Sequence, residues 1–176
     1  MIEIVATVLV VLLCLSAAAF DLKSRRVPNW LNLLGLTTGL VLSFSHGWKE
    51  GALRLAAVIV VLSAGSVLWS TGVVGGGDAK LIGAVTALNG IQFLGVALFW
   101  SLVIGGIVSA LLLLARRQLV PFLAAVARMV GRLILYRILD TDEIANRESQ
   151  KIPLAVIIAA GVTIAVVLDV ASLVAL

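Results

Sequence analysis

The fold of this chain is decided by one charge-free stretch, residues 81–115, which reads LIGAVTALNGIQFLGVALFWSLVIGGIVSALLLLA. A bilayer core about 30 Å thick is crossed by roughly 20 apolar helical residues. The stretch is longer than one crossing needs, and Asn89 and Gly90 are residues that favour a break in a helix. We therefore expect a helical hairpin that reverses at Asn89 and Gly90.

The rest of the chain has the same apolar character. Of its 176 residues, 62% are hydrophobic and 12% are charged, and the mean hydropathy is +1.20. A soluble domain of this size could not bury so much apolar surface, so the composition predicts an all-α, polytopic membrane bundle of about six transmembrane helices. We expect a single domain over residues 1–176. Its predicted helices are 2–20, 28–46, 54–72, 78–89, 91–115 and 153–174, with a cytoplasmic connector at 116–152 that includes an interfacial segment.

The basic residues predict the orientation of the bundle. If every apolar run crosses the membrane, the loops 21–27, 71–80 and 116–151 share one side and hold 11 of the 13 lysines and arginines. Lys49 and Arg54 fall on the other side. Because cytoplasmic loops carry the excess of basic residues, we expect these three loops in the cytoplasm and both termini outside the inner (plasma) membrane. The net charge of +4 then reports orientation, and no nucleic-acid partner is expected.

Two residue types limit the chemistry available to the chain. The only cysteine, Cys14, lies inside the first apolar run, where we interpret it as a packing residue. The only histidine, His46, falls on the face opposite the basic loops. With one of each, no histidine- or thiol-based metal site is expected, and we predict no metal and no cofactor.

Two aspartates stand at predicted helix ends. Asp21 follows the first helix, where it opposes the negative end of the helix dipole and needs compensation that Lys23 could supply. Asp78 follows the glycine run 75–77 and opens an apolar helix, so N-capping alone could explain it. Each aspartate taken singly therefore has an ordinary structural explanation.

Taken together, Asp21 and Asp78 predict a catalytic pair, because both lie near the same depth on the same predicted face. Two carboxylates that share a site resist double ionisation, so one can act as base toward a water while the other polarises a peptide carbonyl. The helix-end argument provisionally makes Asp78 the base, but coupled titration leaves this assignment open. The resting distance between the two carboxylates is also left open.

The segments around the aspartates resemble the motifs of the type IV prepilin and archaeal preflagellin peptidases, which are membrane aspartic proteases with a G-x-G-D motif. Residues 21–29, DLKSRRVPN, and residues 75–81, GGGDAKL, carry the resemblance. Residues 151–155, KIPLA, are similar to a weaker family segment, although they lack its usual aromatic or glycine after the proline. The resemblance implies that Asp21 and Asp78 are catalytic. It also implies a set of residues that shape the site or bind substrate, namely Lys23, Pro28, Asn29, Gly75, Gly76, Gly77, Lys80 and Pro153.

The resemblance further implies a function. Family members cleave short basic leader peptides from pilin-like precursors at the cytoplasmic face of the membrane. Larger bacterial members also carry a cysteine-paired domain and methylate the new N-terminus, and this chain has neither that domain nor its cysteines. It resembles the short, peptidase-only branch of the tight-adherence (Flp-type) pili or archaeal filaments. The expected partners are such a precursor and the lipid bilayer, and the oligomeric state stays open.

Two other classes of function compete with this interpretation. A small ion or proton-coupled transporter could use the two aspartates as binding sites, since carboxylates within membranes often serve transport. A structural assembly subunit would need neither carboxylate. Depth discriminates between a peptidase and a transporter, because a transporter needs charges near the midplane whereas Asp21 and Asp78 are expected at one edge.

Overall fold

The computed structural model describes residues 2–71, 74–117, 124 and 154–174, and the regular structure among them is helical. The helices are α1 (Ile2–Ser24), α2 (Asn29–Ser45), α3 (Trp48–Ser70), α4 (Gly76–Ala115) and α5 (Leu154–Val174). In this part of the chain α1, α3, α4 and α5 are long and apolar enough to cross a membrane. The prediction of a polytopic helical membrane bundle is therefore confirmed, and the chain is a multi-pass membrane protein.

The chain packs as two compact units. The first comprises Met1–Ile104 and Pro153–Leu176, and the second comprises Gly105–Ile152. Of the second unit, the structure describes the last turns of α4, a turn in which Arg117 has a φ of 54°, and residue 124. Most of the predicted connector 116–152, including its interfacial segment, lies outside the described residues, as does Pro153.

Helix α4 is the hairpin that the sequence predicts. Gly90 interrupts it with φ 87° and ψ 174°, a conformation that favours glycine. Gly90 lies beside Arg54 at one end of the bundle, whereas Ala97 and Ser101 lie against Gly161, near the middle of α5. The chain therefore turns back at Gly90. We call residues 76–89 the first limb and residues 91–104 the second limb.

The first limb packs closely against α2. A Cβ built on Gly39 would lie 2.5 Å from the carbonyl carbon of Ala87, so only glycine permits this approach of the two backbones. The surrounding core is made largely of small and aliphatic side chains from α1, the first limb and α5. Its most deeply buried members include Val10, Cys14, Ala17, Leu81, Ala84, Val85 and Val162. Cys14 thus packs in the core, as the sequence suggests.

Two helix boundaries differ from the predicted ones by more than two residues. Helix α1 ends at Ser24 rather than at residue 20, and α3 begins at Trp48 rather than at residue 54. The predicted bounds followed the charge-free runs, and a charged residue ends such a run without ending a helix. Helix α1 stops only where Arg25 adopts a left-handed φ of 52° and donates its N–H to the Asp21 carbonyl at 2.8 Å. Asp21 is consequently part of the last turns of α1.

Candidate active site

Asp21 lies where the C-terminal end of α1 meets the N-terminal end of α5. Its side chain is buried, with 8% of its surface exposed, and its Oδ2 accepts a hydrogen bond from the backbone N–H of Ala155 at 3.2 Å. Ala155 is the second residue of α5, where free N–H groups and the positive end of the helix dipole stabilise a carboxylate. Lys23 was the expected compensation for Asp21. Its side chain is exposed and forms no ion pair with either aspartate in the described part of the chain.

Asp78 is the third residue of α4, inside the first turn rather than at the N-cap position, and its side chain is half-buried. Its carboxylate accepts a backbone hydrogen bond from Gly75. The carbonyl of Gly75 in turn accepts the N–H groups of Asp78 and Ala79, each at 3.1 Å. A side chain that reaches back to the residue before the helix is one half of a capping box, so capping accounts for part of this geometry.

The fold brings the two aspartates together. They belong to the same compact unit, and the Asp21 carboxylate is close enough to act electrostatically on Asp78. Each also lies at the N-terminal end of a helix, Asp21 at that of α5 and Asp78 at that of α4. At Asp21 the N-terminal end of α5 therefore offsets the unfavourable C-terminal end of α1, so helix ends distinguish the two carboxylates less clearly than the sequence suggests.

The three glycines before Asp78 are not equivalent. A Cβ on Gly75 would lie 2.7 Å from Oδ2 of Asp78, closer than real contacts allow. On Gly76 it would lie 3.4 Å from Nε1 of Trp69, and on Gly77 it would lie 3.6 Å from Cβ of Val27, both within ordinary van der Waals contact. Only Gly75 is therefore needed to keep the Asp78 carboxylate where it is.

The two sequence motifs touch each other. Pro28 precedes α2 in an extended conformation, with φ −64° and ψ 136°, and Asn29 is the first residue of the helix. The Asn29 Oδ1 accepts a hydrogen bond from Nζ of Lys80 at 3.0 Å, on an exposed surface. Two residues predicted to shape the site are thus each other's partners.

Asn32 is a residue of this region that the sequence analysis did not single out. It is 3% exposed, and its Nδ2 donates to the carbonyl of Gly77 at 3.1 Å. Its Oδ1 is buried without a hydrogen-bond partner among the described residues. A signal for it was available, because Asn32 follows Asn29 by three positions and so lies on the same face of α2.

The opposite end of the bundle holds a cleft of about 840 Å³. The Arg54 Nη1 donates to the carbonyl of Leu88 at 2.6 Å and to that of Ala87 at 3.5 Å, at the end of the first limb. His46 lines this cleft, which confirms its predicted position away from the aspartates. The charged and polar lining residues are Glu3, Thr7, Ser43, His46, Glu50, Arg54, Asn89, Gln92 and Asp169. Within the described ranges no three histidines, cysteines or acids are grouped to hold a metal ion.

Fold and site together define a multi-pass helical membrane protein with two aspartates gathered at one end of its bundle. Comparison with known proteins identifies the family to which it belongs. A model of the type IV leader peptidase family matches residues 8–110, which is more than half of the chain and includes Asp21 and Asp78, and the chain belongs to this family.

One curated relative extends the comparison. A prepilin leader peptidase/N-methyltransferase of Bacillus subtilis (strain 168) is 29% identical to the chain over 141 residues. The match covers 76% of this chain and 56% of the relative, so the chain spans little more than half the length of that protein. No solved structure matches the chain.

Proposed function

We propose that this chain is an aspartic endopeptidase that removes the leader peptide of pilin-like precursors, with Asp21 and Asp78 as its catalytic pair. The observation that carries the proposal is the placement of these two carboxylates within electrostatic range of each other at one end of the bundle, inside the region matched by the type IV leader peptidase family. The curated relative is named a prepilin leader peptidase, so a precursor of that class is the proposed substrate.

Two adjacent carboxylates suit peptide hydrolysis when they share one proton. The ionised carboxylate takes a proton from a water as the water oxygen attacks the scissile carbonyl carbon. The protonated carboxyl donates its proton to the carbonyl oxygen. The tetrahedral gem-diol then collapses: one of its hydroxyls returns a proton to the now ionised carboxylate as the C=O bond re-forms, the C–N bond breaks, and the leaving nitrogen takes the proton of the other carboxyl.

The depth of the two aspartates favours proteolysis over transport. Asp21 lies in the last turns of α1 and Asp78 in the first turn of α4, so both stand at the edge of the bundle. A transport site would place its carboxylates near the middle of the membrane. Water and an extended peptide reach an edge more easily than the midplane, as a hydrolase requires.

The charges of the first unit support a cytoplasmic active site in the inner membrane. The basic side chains near the aspartates are Lys23, Arg25, Arg26 and Lys80. The opposite end carries Lys49 and Arg54 together with the acids Glu3, Glu50 and Asp169. Because basic residues concentrate on the cytoplasmic side of membrane proteins, the aspartate end is the proposed cytoplasmic end.

Two finer parts of the proposal concern the substrate and the modification of the product. We assign the precursors to the tight-adherence (Flp) type and assign no N-methyltransferase activity to the chain. The absence of N-methyltransferase activity is supported by Cys14. It is the only cysteine, it lies on α1 in the buried core of the bundle, and it cannot contribute to a cysteine-paired domain. The mass of the mature N-terminus tests it, because an added methyl group would contradict the assignment.

The proposal is tested by co-expressing the chain with a basic-leader pilin precursor and measuring conversion to the mature form. Asp21→Asn and Asp78→Asn should each lower processing by about 10³-fold or more, as removal of a member of a catalytic unit does. Asp169→Asn is the matched control, since it makes the same change at the opposite end of the bundle and should leave processing intact. Processing that persists in either active-site variant would rule out the pair.

A further inference from the structure

Asn32 connects α2 to the start of the first limb. The donor Nδ2 and the acceptor carbonyl of Gly77 are 45 residues apart in sequence, so this hydrogen bond exists only because the two helices pack together. Asn32 is buried at 3% exposure, whereas the nearby Asn29–Lys80 hydrogen bond is exposed. Of these two hydrogen bonds between α2 and the 75–81 segment, that of Asn32 is the more shielded from water.

The carbonyl that Asn32 engages belongs to the peptide unit that leads into Asp78. The C=O of Gly77 and the N–H of Asp78 lie in one rigid plane. Asn32 holds the carbonyl of this plane at 3.1 Å, and the carbonyl of Gly75 accepts its N–H at 3.1 Å. A plane held on both sides cannot rotate freely, and its orientation sets the direction in which the Asp78 side chain leaves the backbone.

Stability alone does not explain an asparagine at position 32. The Gly77 carbonyl lies in the first turn of α4, where it can accept the N–H four residues later without help from α2. The Asn32 Oδ1 is buried with no donor in the described part of the chain, which is unfavourable. A leucine of similar size would remove that unpaired acceptor and join the apolar interior. The polar side chain is therefore explained by what Nδ2 does to the Gly77–Asp78 peptide.

We propose that Asn32 is a positioning residue of the proposed peptidase, which orients the Asp78 carboxylate by holding the Gly77–Asp78 peptide plane. The inference rests on the proposed function. Because Asn32 acts through the Gly77–Asp78 peptide and not on the substrate itself, its removal should lower turnover without weakening substrate binding. Loss of this hydrogen bond should also have an effect that does not depend on activity. The backbone at the start of α4 should become more mobile when Nδ2 is removed.

The experiment compares Asn32→Leu with Asn89→Leu in the purified full chain. Asn89 is the matched control, since it lies at the other end of the first limb, donates Nδ2 to Oγ1 of Thr7 at 3.5 Å and also has a buried Oδ1 without a partner among the described residues. For Asn32→Leu, kcat on a pilin precursor should fall about tenfold or more while KM stays within about threefold, as expected for a misplaced catalytic group. Its melting temperature should equal or exceed that of the wild type. Asn89→Leu should keep kcat within about twofold, because its site is remote from the reaction.

A third variant, Asn32→Asp, tests the donor itself. When ionised, this carboxyl has no proton to donate and repels the Gly77 carbonyl, whereas when protonated it donates an O–H from nearly the same position. Its kcat relative to wild type should therefore rise as pH falls, and that of Asn32→Leu should stay constant with pH. Among the described residues, Asp21, Asp78 and Lys80 are the other ionisable groups of this region, and all variants keep them, so each kcat is compared with that of the wild type at the same pH.

Amide hydrogen exchange separates failure of this inference from failure of the proposed function. Residues 76–80 should exchange faster in Asn32→Leu and at the wild-type rate in Asn89→Leu, whether or not the precursor is cleaved. Unchanged exchange in Asn32→Leu, or a fall in kcat matched by an equal loss of thermal stability, would overturn the positioning role. A wild type that cleaves no precursor would refute the proposed function and leave the exchange result to decide the backbone role of Asn32.

Discussion

The two ends of the first limb differ in the charged groups that lie beside them. At its C-terminal end the last helix carbonyls bind a cation, because Arg54 donates to Leu88 and Ala87 beside the turn at Gly90. At its N-terminal end Asp78 meets a second carboxylate, Asp21. One end thus pairs a cation with carbonyl dipoles, while the other gathers two like charges.

Under the proposed function, this difference separates an end built for stability from an end built for chemistry. An arginine on helix carbonyls satisfies groups that would otherwise be unpaired, so its removal should cost stability. Two carboxylates in a partly buried site repel each other, and backbone N–H groups offset that repulsion. Changes there should therefore alter reactivity more than folding. Three sets of variants test this division.

The largest expected effect is on activity and comes from Gly75→Ala. The added Cβ would lie 2.7 Å from Oδ2 of Asp78, and the carboxylate, being the end of a side chain, would move rather than the backbone. A displacement of about 1 Å at a catalytic group can cost on the order of 100-fold in rate, so we expect that loss with little change in melting temperature.

Gly76→Ala is the control for this substitution. Its Cβ would lie 3.4 Å from Trp69, so cleavage should stay within about threefold of wild type, and replacing a helical glycine by alanine often adds about 0.4–1 kcal/mol of stability. Equal losses of activity in the two variants would show that the segment merely needs flexibility and does not shape the Asp78 carboxylate.

The next effect is on stability and comes from Arg54→Met at the opposite end. Loss of the guanidinium leaves the carbonyls of Leu88 and Ala87 without their donor, which should lower the free energy of unfolding by about 1–3 kcal/mol. Thermal unfolding in detergent measures this loss, and kcat per folded molecule should not change. A fall in kcat without a fall in stability would contradict the division between the two ends.

The smallest effect concerns the exposed pair Asn29 and Lys80. A double-mutant cycle with Asn29→Ala and Lys80→Met should give a coupling energy in unfolding below about 1 kcal/mol, because water competes for an exposed charged hydrogen bond. In cleavage, the same cycle shows whether the two residues act as a pair. If the two substitutions raise KM independently, so that their effects add as free energies, each residue binds the substrate separately.

The helical architecture could be predicted from the sequence because membrane crossing depends on local properties. A run of apolar residues of sufficient length crosses as a helix wherever it occurs, and Gly90 can break a helix because it lacks a Cβ. The hairpin of α4 follows from those two facts. The C-terminal boundary of α1 and the N-terminal boundary of α3 were predicted less well. Charged residues such as Lys49 and Glu50 extend a helix beyond its apolar run.

The candidate site was predictable only in part. Asp21 and Asp78 were found because topology and basic loops put both on one face. The amide of Ala155 that donates to Asp21, and the bond from Asn32 to Gly77, join residues 134 and 45 positions apart. Neither pairing has a local signature, because each depends on how the helices rotate and pack against one another.

By itself, then, the sequence determined a multi-spanning helical membrane protein, a reversal at Gly90 and two aspartates at one edge, because hydropathy, backbone freedom and charge are properties of short segments. The tertiary structure alone decided which donor holds each carboxylate, why a Cβ has less room at Gly75 than at Gly76, and which carbonyl Asn32 binds. Those features depend on distances of about 3 Å between different helices, and such distances are set by the packing of whole helices.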